Sequence, residues 1–217
     1  MTKPKIQAVA FDMDGLMFNS EDVYFETGLR LLHLFGCEYT QALSNTLMGY
    51  TPQNTFQGMI DAHNLPVTWQ ELQARSDEIF LSIMPDMLQP MPGLFRLLDH
   101  LDAHGIPHAV CTSSNPKLVY KMLPIHDLER RFDFILTSDD VTHGKPHPEM
   151  YLRAAERFGV EPASMMVLED SHNGCLAGAN AGAFVVAVPG EHSRDHDFSM
   201  ASLVADALDD ERILQIL

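Results

Sequence analysis

Positive charge is scarce in this 217-residue chain: 14 Lys and Arg stand against 30 Asp and Glu, a formal net charge of -16. A surface of that sign repels phosphate backbones and anionic lipid, so neither nucleic acid nor a membrane is expected as a partner. An anionic ligand would have to be met by a metal ion or by a single well-placed lysine. Cysteine is scarce as well. Cys37, Cys111 and Cys175 lie far apart with no Cys-x-x-Cys spacing, which excludes a disulfide framework and a cysteine zinc site and fits a reducing cytoplasm. Long apolar runs are missing: none could span a bilayer, and the first residues lack the apolar stretch of a secretory signal. There is no internal repeat and no low-complexity segment. What remains is 46% hydrophobic and 20% charged, ordinary for a globular chain that buries a substantial core as one domain with an insertion or as two small domains.

The organising stretch is Gln7-Ala8-Val9-Ala10-Phe11-Asp12-Met13-Asp14-Gly15. An apolar run leads into two aspartates one residue apart and then a glycine, which reads as a buried strand ending in a tight turn. Where a strand breaks into a loop the second carboxylate can swing back toward the first, and like charges so close repel unless a cation or proton separates them. A hard divalent cation held by oxygens, such as Mg2+, satisfies that requirement. The plain alternative is a pair of turn-forming aspartates at a solvated sheet edge.

Beyond Gly15 the pattern turns helical. Ser20-Glu21-Asp22 reads as a helix start, Val23, Phe25, Leu29, Leu32 and Phe35 follow at helical spacing until Gly36, Thr51-Pro52 offers a cap, and Thr68 with Glu71 matches a capping box. Residues 18–88 are therefore expected to form a small helical domain. Gln89-Pro90-Met91-Pro92-Gly93 marks its end. Strands then alternate with helices: strands over 106–111, 132–136, 165–168 and 184–188, helices over 94–104, 117–123, 149–158 and 173–181, and a short strand and closing helix in the tail. That alternation predicts right-handed βαβ units on a parallel sheet. The expected fold is α/β, a Rossmann-like doubly wound core over 1–17 and 89–217 with the helical domain inserted after the first strand.

Sites in open parallel sheets gather beyond the carboxyl ends of the strands, and polar residues recur at those ends. Asp12 and Asp14 follow the first strand, Thr112-Ser113-Ser114-Asn115 the next, Lys145 sits in a later loop, and Glu169-Asp170 end another strand. Carboxylates, hydroxyls ahead of a helix and one lysine are the parts that phosphoryl transfer needs: hydroxyls and helix-start amides bind phosphate oxygens, and lysine brings compact positive charge.

In that order the motifs Asp12-Met13-Asp14-Gly15, Thr112-Ser113-Ser114, Lys145-Pro146 and Glu169-Asp170-Ser171 resemble those of the haloacid dehalogenase-like hydrolases, in the subgroup with a helical cap that includes β-phosphoglucomutase-like phosphatases. The resemblance covers nearly the whole chain. It implies that Asp12 attacks phosphorus to form an aspartyl-phosphate and that Asp14 acts as general acid and base. It also implies that Mg2+ is held by Asp12, Asp170 and the Asp14 carbonyl, with Glu169 ligating directly or through water. Thr112, the Ser113 amide and Lys145 would hold phosphoryl oxygens. Gly15, Ser114, Asn115 and the cap residue Tyr50 are further expected substrate contacts. The second aspartate argues against dehalogenation.

The expected activity is thus a Mg2+-dependent phosphomonoesterase acting on a small phosphorylated metabolite, a sugar, polyol or nucleoside monophosphate, by a cytoplasmic monomer. Two alternatives compete. A phosphosugar mutase needs a second anion site, but Tyr24 and Met48-Gly49-Tyr50-Thr51-Pro52 stand where mutases of this kind carry a histidine and a basic loop. A phospho-accepting or ligand-binding module without turnover has no need for Asp14. Asn19 stands where the family commonly has aspartate. Of eleven histidines, the pairs His100/His104, His143/His147 and His192/His196 are read as surface residues, because the middle pair lies in a loop and the others lack a third ligand. The dispersed methionines read as core filler, and Cys111 as a small buried residue.

Overall fold

A computed structural model describes residues 5–47 and 51–217. The chain divides into two compact units, Met1–Asn19 with Gln89–Leu217, and Ser20–Leu88.

The larger unit is built on six parallel strands: β1 (Ala8–Phe11), β2 (His108–Cys111), β3 (Ile135–Leu136), β4 (Met165–Glu169), β5 (Phe184–Ala187) and β6 (Leu203–Val204). They lie in the order β3-β2-β1-β4-β5-β6, with helices on both faces. β1 is central because it is apolar on both sides: all four of its residues are buried, as a strand covered on two faces requires.

Strand alternation decides which face each residue serves. Ala8 and Ala10 of β1, Ala109 and Cys111 of β2, Met165 and Val167 of β4, and Val185 and Ala187 of β5 join one buried cluster. With them pack Met150, Tyr151, Ala154 and Ala155 of α7 (Glu149–Phe158) and Cys175, Ala177 and Ala181 in and just after α8 (His172–Asn180). Small residues on both sides of this layer let helix and sheet approach closely. Gly178 shows how closely: a Cβ there would lie 2.9 Å from Val185 Cγ2, tighter than carbon atoms tolerate. Val9, Phe11, Met166 and Leu168 bury the opposite face.

The smaller unit contains α1 (Ser20–His33), α2 (Gln41–Leu47), α3 (Pro52–His63) and α4 (Trp69–Met87), around a core of Leu31, Leu32, Leu47, Met59, Ile60, Leu65 and Leu72. Its helix starts follow from local chemistry. Thr51 accepts from the Asn54 amide with Pro52 at the first helical position, and Thr68 and Glu71 cap each other's backbone amides reciprocally. Tyr24 stacks on Phe80 with ring centroids 4.6 Å apart.

The remaining helices are α5 (Leu94–His104), α6 (Pro116–Met122) and α9 (Glu211–Ile216). Where a strand was expected over 132–136, β3 covers Ile135–Leu136 alone. Phe132 packs edge-on against Phe11 and His108, while the Asp133 amide donates to His108 O at 2.9 Å and Phe134 O accepts from the Val110 amide at 3.2 Å, so backbone pairing with β2 already begins just ahead of β3. Among the described residues no helix is long and apolar enough to cross a membrane.

Candidate active site

Parallel register puts the ends of β1, β2 and β4 side by side. Phe11 pairs with Leu168 and Val110, and the Asp12 amide continues the ladder by donating to Leu168 O at 3.0 Å. One step further, Asp12 and Glu169 therefore stand next to each other on the α7 side. Asp12 is buried, only 7% exposed, which rules out turn aspartates at a solvated edge.

Lys145 meets this pair. Its Nζ donates to Asp12 Oδ1 at 2.5 Å, Glu169 Oε1 at 2.7 Å and Cys111 O at 3.0 Å, which spends all three ammonium protons. Burial disfavours its charge, yet Asp12 and Glu169 outweigh that and hold the ammonium well above its ordinary range. Asp12 moves the other way. Burial pushes its carboxyl up to about 8, opposed by Lys145 and reinforced by Glu169 and Asp14. One lysine does not balance so many acids in so dry a place.

Asp12, Glu169 and Asp170 each offer a carboxylate oxygen within 4.8 Å of the others, a spacing that a single oxygen-ligated cation can bridge. Gly15 makes room for it: its φ is +77°, and a Cβ there would lie 2.4 Å from Asp170 Oδ2. The excess of buried negative charge and this close carboxylate set fit a divalent ion. Glu169 is already engaged on both oxygens. Oε1 accepts from Lys145 and from Tyr151 OH at 2.9 Å, and Oε2 from the Asp170 and Ser171 amides at 3.1 Å and Ser171 Oγ at 2.9 Å.

The Asp14 carboxylate stands outside that cluster. Its Oδ2 accepts from Ser114 Oγ at 2.6 Å and Thr112 Oγ1 at 3.2 Å, while Thr112 Oγ1 itself accepts from the Ser114 amide. The first and second motifs are thus joined across 100 residues. Of the other expected contacts, Ser113 is exposed and Asn115 caps α6 by accepting from the Lys117 amide at 2.9 Å. Tyr50 lies outside the described residues. Asn19 Oδ1 accepts from the Gln89 amide at 2.7 Å and its own amide donates to Gln89 O at 3.1 Å, fastening together the two crossings between core and helical insertion.

His143 and His147 are joined by Glu149, a third potential ligand not foreseen in the sequence. That carboxylate is taken up by the Thr142 and His143 amides and neutralised by Arg153, so it serves as a staple for the loop. Cys111 is buried, with its thiol pushed up to about 12 by burial, which keeps it inert. Three contributors escaped sequence reasoning: the Cys111 carbonyl, Gly174 and Tyr151. A Cβ on Gly174 would overlap the Glu169 carboxylate at 1.7 Å. Tyr151 had a readable signal, a hydroxyl on the otherwise apolar buried face of α7, which must find a partner.

A sequence model described as haloacid dehalogenase-like hydrolase matches residues 9–188. The chain belongs to this family. It is 34% identical over 212 residues to a Drosophila melanogaster protein named "Probable pseudouridine-5'-phosphatase", covering 95% of this chain and 91% of that one. It is 31% identical over 206 residues to an Arabidopsis thaliana protein named bifunctional riboflavin kinase/FMN phosphatase, covering 94% of this chain; the chain spans only 54% of that relative's length. Among solved structures, CbbY from Rhodobacter sphaeroides in complex with phosphate superimposes with a TM-score of 0.82 at 24% identity, covering 94% of this chain and 95% of that one.

Proposed function

We propose that this hydrolase is a Mg2+-dependent phosphomonoesterase that acts on a small phosphorylated metabolite, a sugar, polyol or nucleoside monophosphate, through an aspartyl-phosphate on Asp12. The observation that carries the reading is the buried Asp12 carboxylate, aligned by the Lys145 ammonium beside a carboxylate cluster that can hold one cation. The phosphatase names of relatives above 30% identity support it.

Asp12 Oδ is the nucleophile. It attacks phosphorus in line with the leaving alcohol oxygen; the bond to that oxygen breaks as Asp14 hands it a proton, and a phosphoryl group is left on Asp12. Water then attacks this phosphorus, Asp14 takes the water proton, the bond to Asp12 breaks and inorganic phosphate leaves. Thr112 and Lys145, whose donors rest on Asp14 and Asp12, would turn them to the equatorial oxygens when the ester binds. Asp12, Asp170 and the Asp14 carbonyl would hold Mg2+, with Glu169, its oxygens already occupied by five donors, adding negative charge beside them. When bound, the ion supplies the positive charge that lets an anionic nucleophile meet an anionic ester.

Hydrolysis is favoured over phosphoryl shuttling within a sugar. Tyr24, where a mutase of this group would carry histidine, spends its ring on Phe80. The test is turnover of a generic aryl phosphate. Activity should require Mg2+, disappear with a chelator, and fall by more than ~10^3-fold in Asp12→Asn; comparable turnover by that variant ends the reading. A panel of phosphorylated sugars, polyols and nucleosides, ranked by kcat/KM, then identifies the substrate class.

A further inference from the structure

We infer that Tyr151 is a positioning residue of this site, setting the balance by which Glu169 and Asp12 share the Lys145 ammonium. The inference rests on the proposed reading for its catalytic consequence, but not for its geometry.

Tyr151 is fully buried in the first turn of α7, six residues after Lys145 on the same segment. Two of its parts reach the site. Its hydroxyl donates to Glu169 Oε1 at 2.9 Å, since a carboxylate only accepts. Its ring presents a face to the Lys145 ammonium 5.0 Å away, within cation–π range. Tyrosine is a large side chain to bury whole, and the sheet beneath it is built of Ala10, Ala109 and Cys111, small residues that leave a ring its space.

The hydroxyl matters because of what shares its acceptor. Glu169 Oε1 receives two donors, Tyr151 OH and Lys145 Nζ, and Lys145 Nζ in turn faces two competing carboxylates, Asp12 at 2.5 Å and Glu169 at 2.7 Å. Glu169 is wholly buried and cannot turn to water. Remove the hydroxyl and Oε1 keeps only the ammonium, so the lysine is drawn toward Glu169 and away from Asp12, the oxygen proposed to attack phosphorus. The other oxygen offers no relief, being fixed by the Asp170 amide and both donors of Ser171. Gly174 closes the remaining side, since no Cβ fits there against the Glu169 carboxylate. The tyrosine hydroxyl is thus the one donor on Oε1 that does not also serve Asp12.

The experiment compares wild type with Tyr151→Phe, which keeps the ring and deletes only the hydroxyl. One readout needs no turnover: the protected 1H–15N signal of the Lys145 ammonium, assigned by its loss in Lys145→Met. In Tyr151→Phe it should shift or broaden while the melting temperature stays within a few degrees of wild type. The second readout is kinetic, with an aryl phosphate and saturating Mg2+. The expectation is a five- to twentyfold fall in kcat with KM changed less than twofold, and less than a twofold further effect of the same substitution in a Glu169→Gln background. An unperturbed Lys145 signal overturns the inference. So does an active Tyr151→Phe enzyme with wild-type kcat, or an equal loss in the Glu169→Gln background, which would show that the hydroxyl acts elsewhere. If the wild-type protein hydrolyses no phosphate ester, the functional proposal fails, while the ammonium signal still decides the role of Tyr151.

Discussion

Gly15 and Asp170 are paired by exclusion: a Cβ on Gly15 would lie 2.4 Å from Asp170 Oδ2 and 3.0 Å from its Cγ. The glycine also holds φ at +77°, a region that costs other residues about 1 kcal/mol or more. The first motif therefore ends in glycine for two independent reasons, and only one of them concerns the turn.

Gly15→Ala separates these reasons. Backbone strain alone would lower stability by about 1–2 kcal/mol. Displacement of Asp170 adds a loss that stability does not register, a weaker cation site. Titration of Mg2+ against activity should show half-saturation at least tenfold higher than in wild type, equivalent to about 1.4 kcal/mol of binding. A variant that is merely less stable, with unchanged Mg2+ half-saturation, would limit Gly15 to its turn.

Ser114 and Asp14 form a second such pair. Asp14 Oδ1 is buried without a hydrogen-bond partner among the described residues, so the carboxylate is oriented through Oδ2 by Ser114 at 2.6 Å and Thr112 at 3.2 Å. A hydrogen bond to a charged group contributes about 1.5–3 kcal/mol. Ser114→Ala should lower kcat by roughly ten- to a hundredfold with little change in KM, and Ser114→Thr, which restores a hydroxyl, should recover most of it. Steady-state kinetics on an aryl phosphate measure both. A rise in KM with kcat intact would instead make Ser114 a substrate contact.

These pairs mark the boundary of what is legible in the sequence. Asp12, Thr112, Lys145, Glu169 and Asp170 stand out because each follows an apolar run or sits in a polar loop between such runs, and a parallel sheet collects such residues at one edge. The alternation of strands and helices is legible for the same reason. The neighbour of each residue is not. Strand order, which places β4 between β1 and β5, comes from long-range pairing, and the burial of Phe132 just ahead of β3 depends on Phe11, more than a hundred residues away. Asn115 shows the converse: as a polar residue beside the second motif it suggests a ligand contact, while its side chain closes the first turn of α6. The Tyr151 hydroxyl signals a buried partner, but only the fold names that partner as Glu169.

Lys145 is the cation within this set of acids, 7% exposed at its side chain against a fully buried Glu169. Removing one partner of a buried ion pair costs about 3–5 kcal/mol, because the other charges stay behind. Lys145→Met should therefore lower the melting temperature by roughly 10 °C in metal-free buffer. Added Mg2+ should return part of that loss by stabilising the folded state in proportion to its binding, and more so than in wild type, since the ammonium that competes for Asp12 is gone. Thermal melts with and without Mg2+ decide the point; equal shifts in both proteins would separate Lys145 from the cation site.

Glu149 holds the loop that delivers Lys145. Its Oε1 accepts from the Thr142 amide at 3.0 Å and its Oε2 from the His143 amide at 2.9 Å, and Arg153 pairs with it at 2.8 Å. The backbone amide of Thr142 leads the interactions that pull its carboxyl from 4.5 down to about 2. A carboxyl held below its unfolded value binds fewer protons when folded, so its contribution is complete above about pH 4.5 and is lost as pH falls through about 2. Glu149→Gln keeps the shape and removes the charge. The gap in melting temperature between wild type and this variant should close as the pH is lowered from about 4.5 toward 2. A gap that persists undiminished at pH 3 would show that the loop is held by the shape of the side chain, and that the ionised carboxylate adds nothing to it.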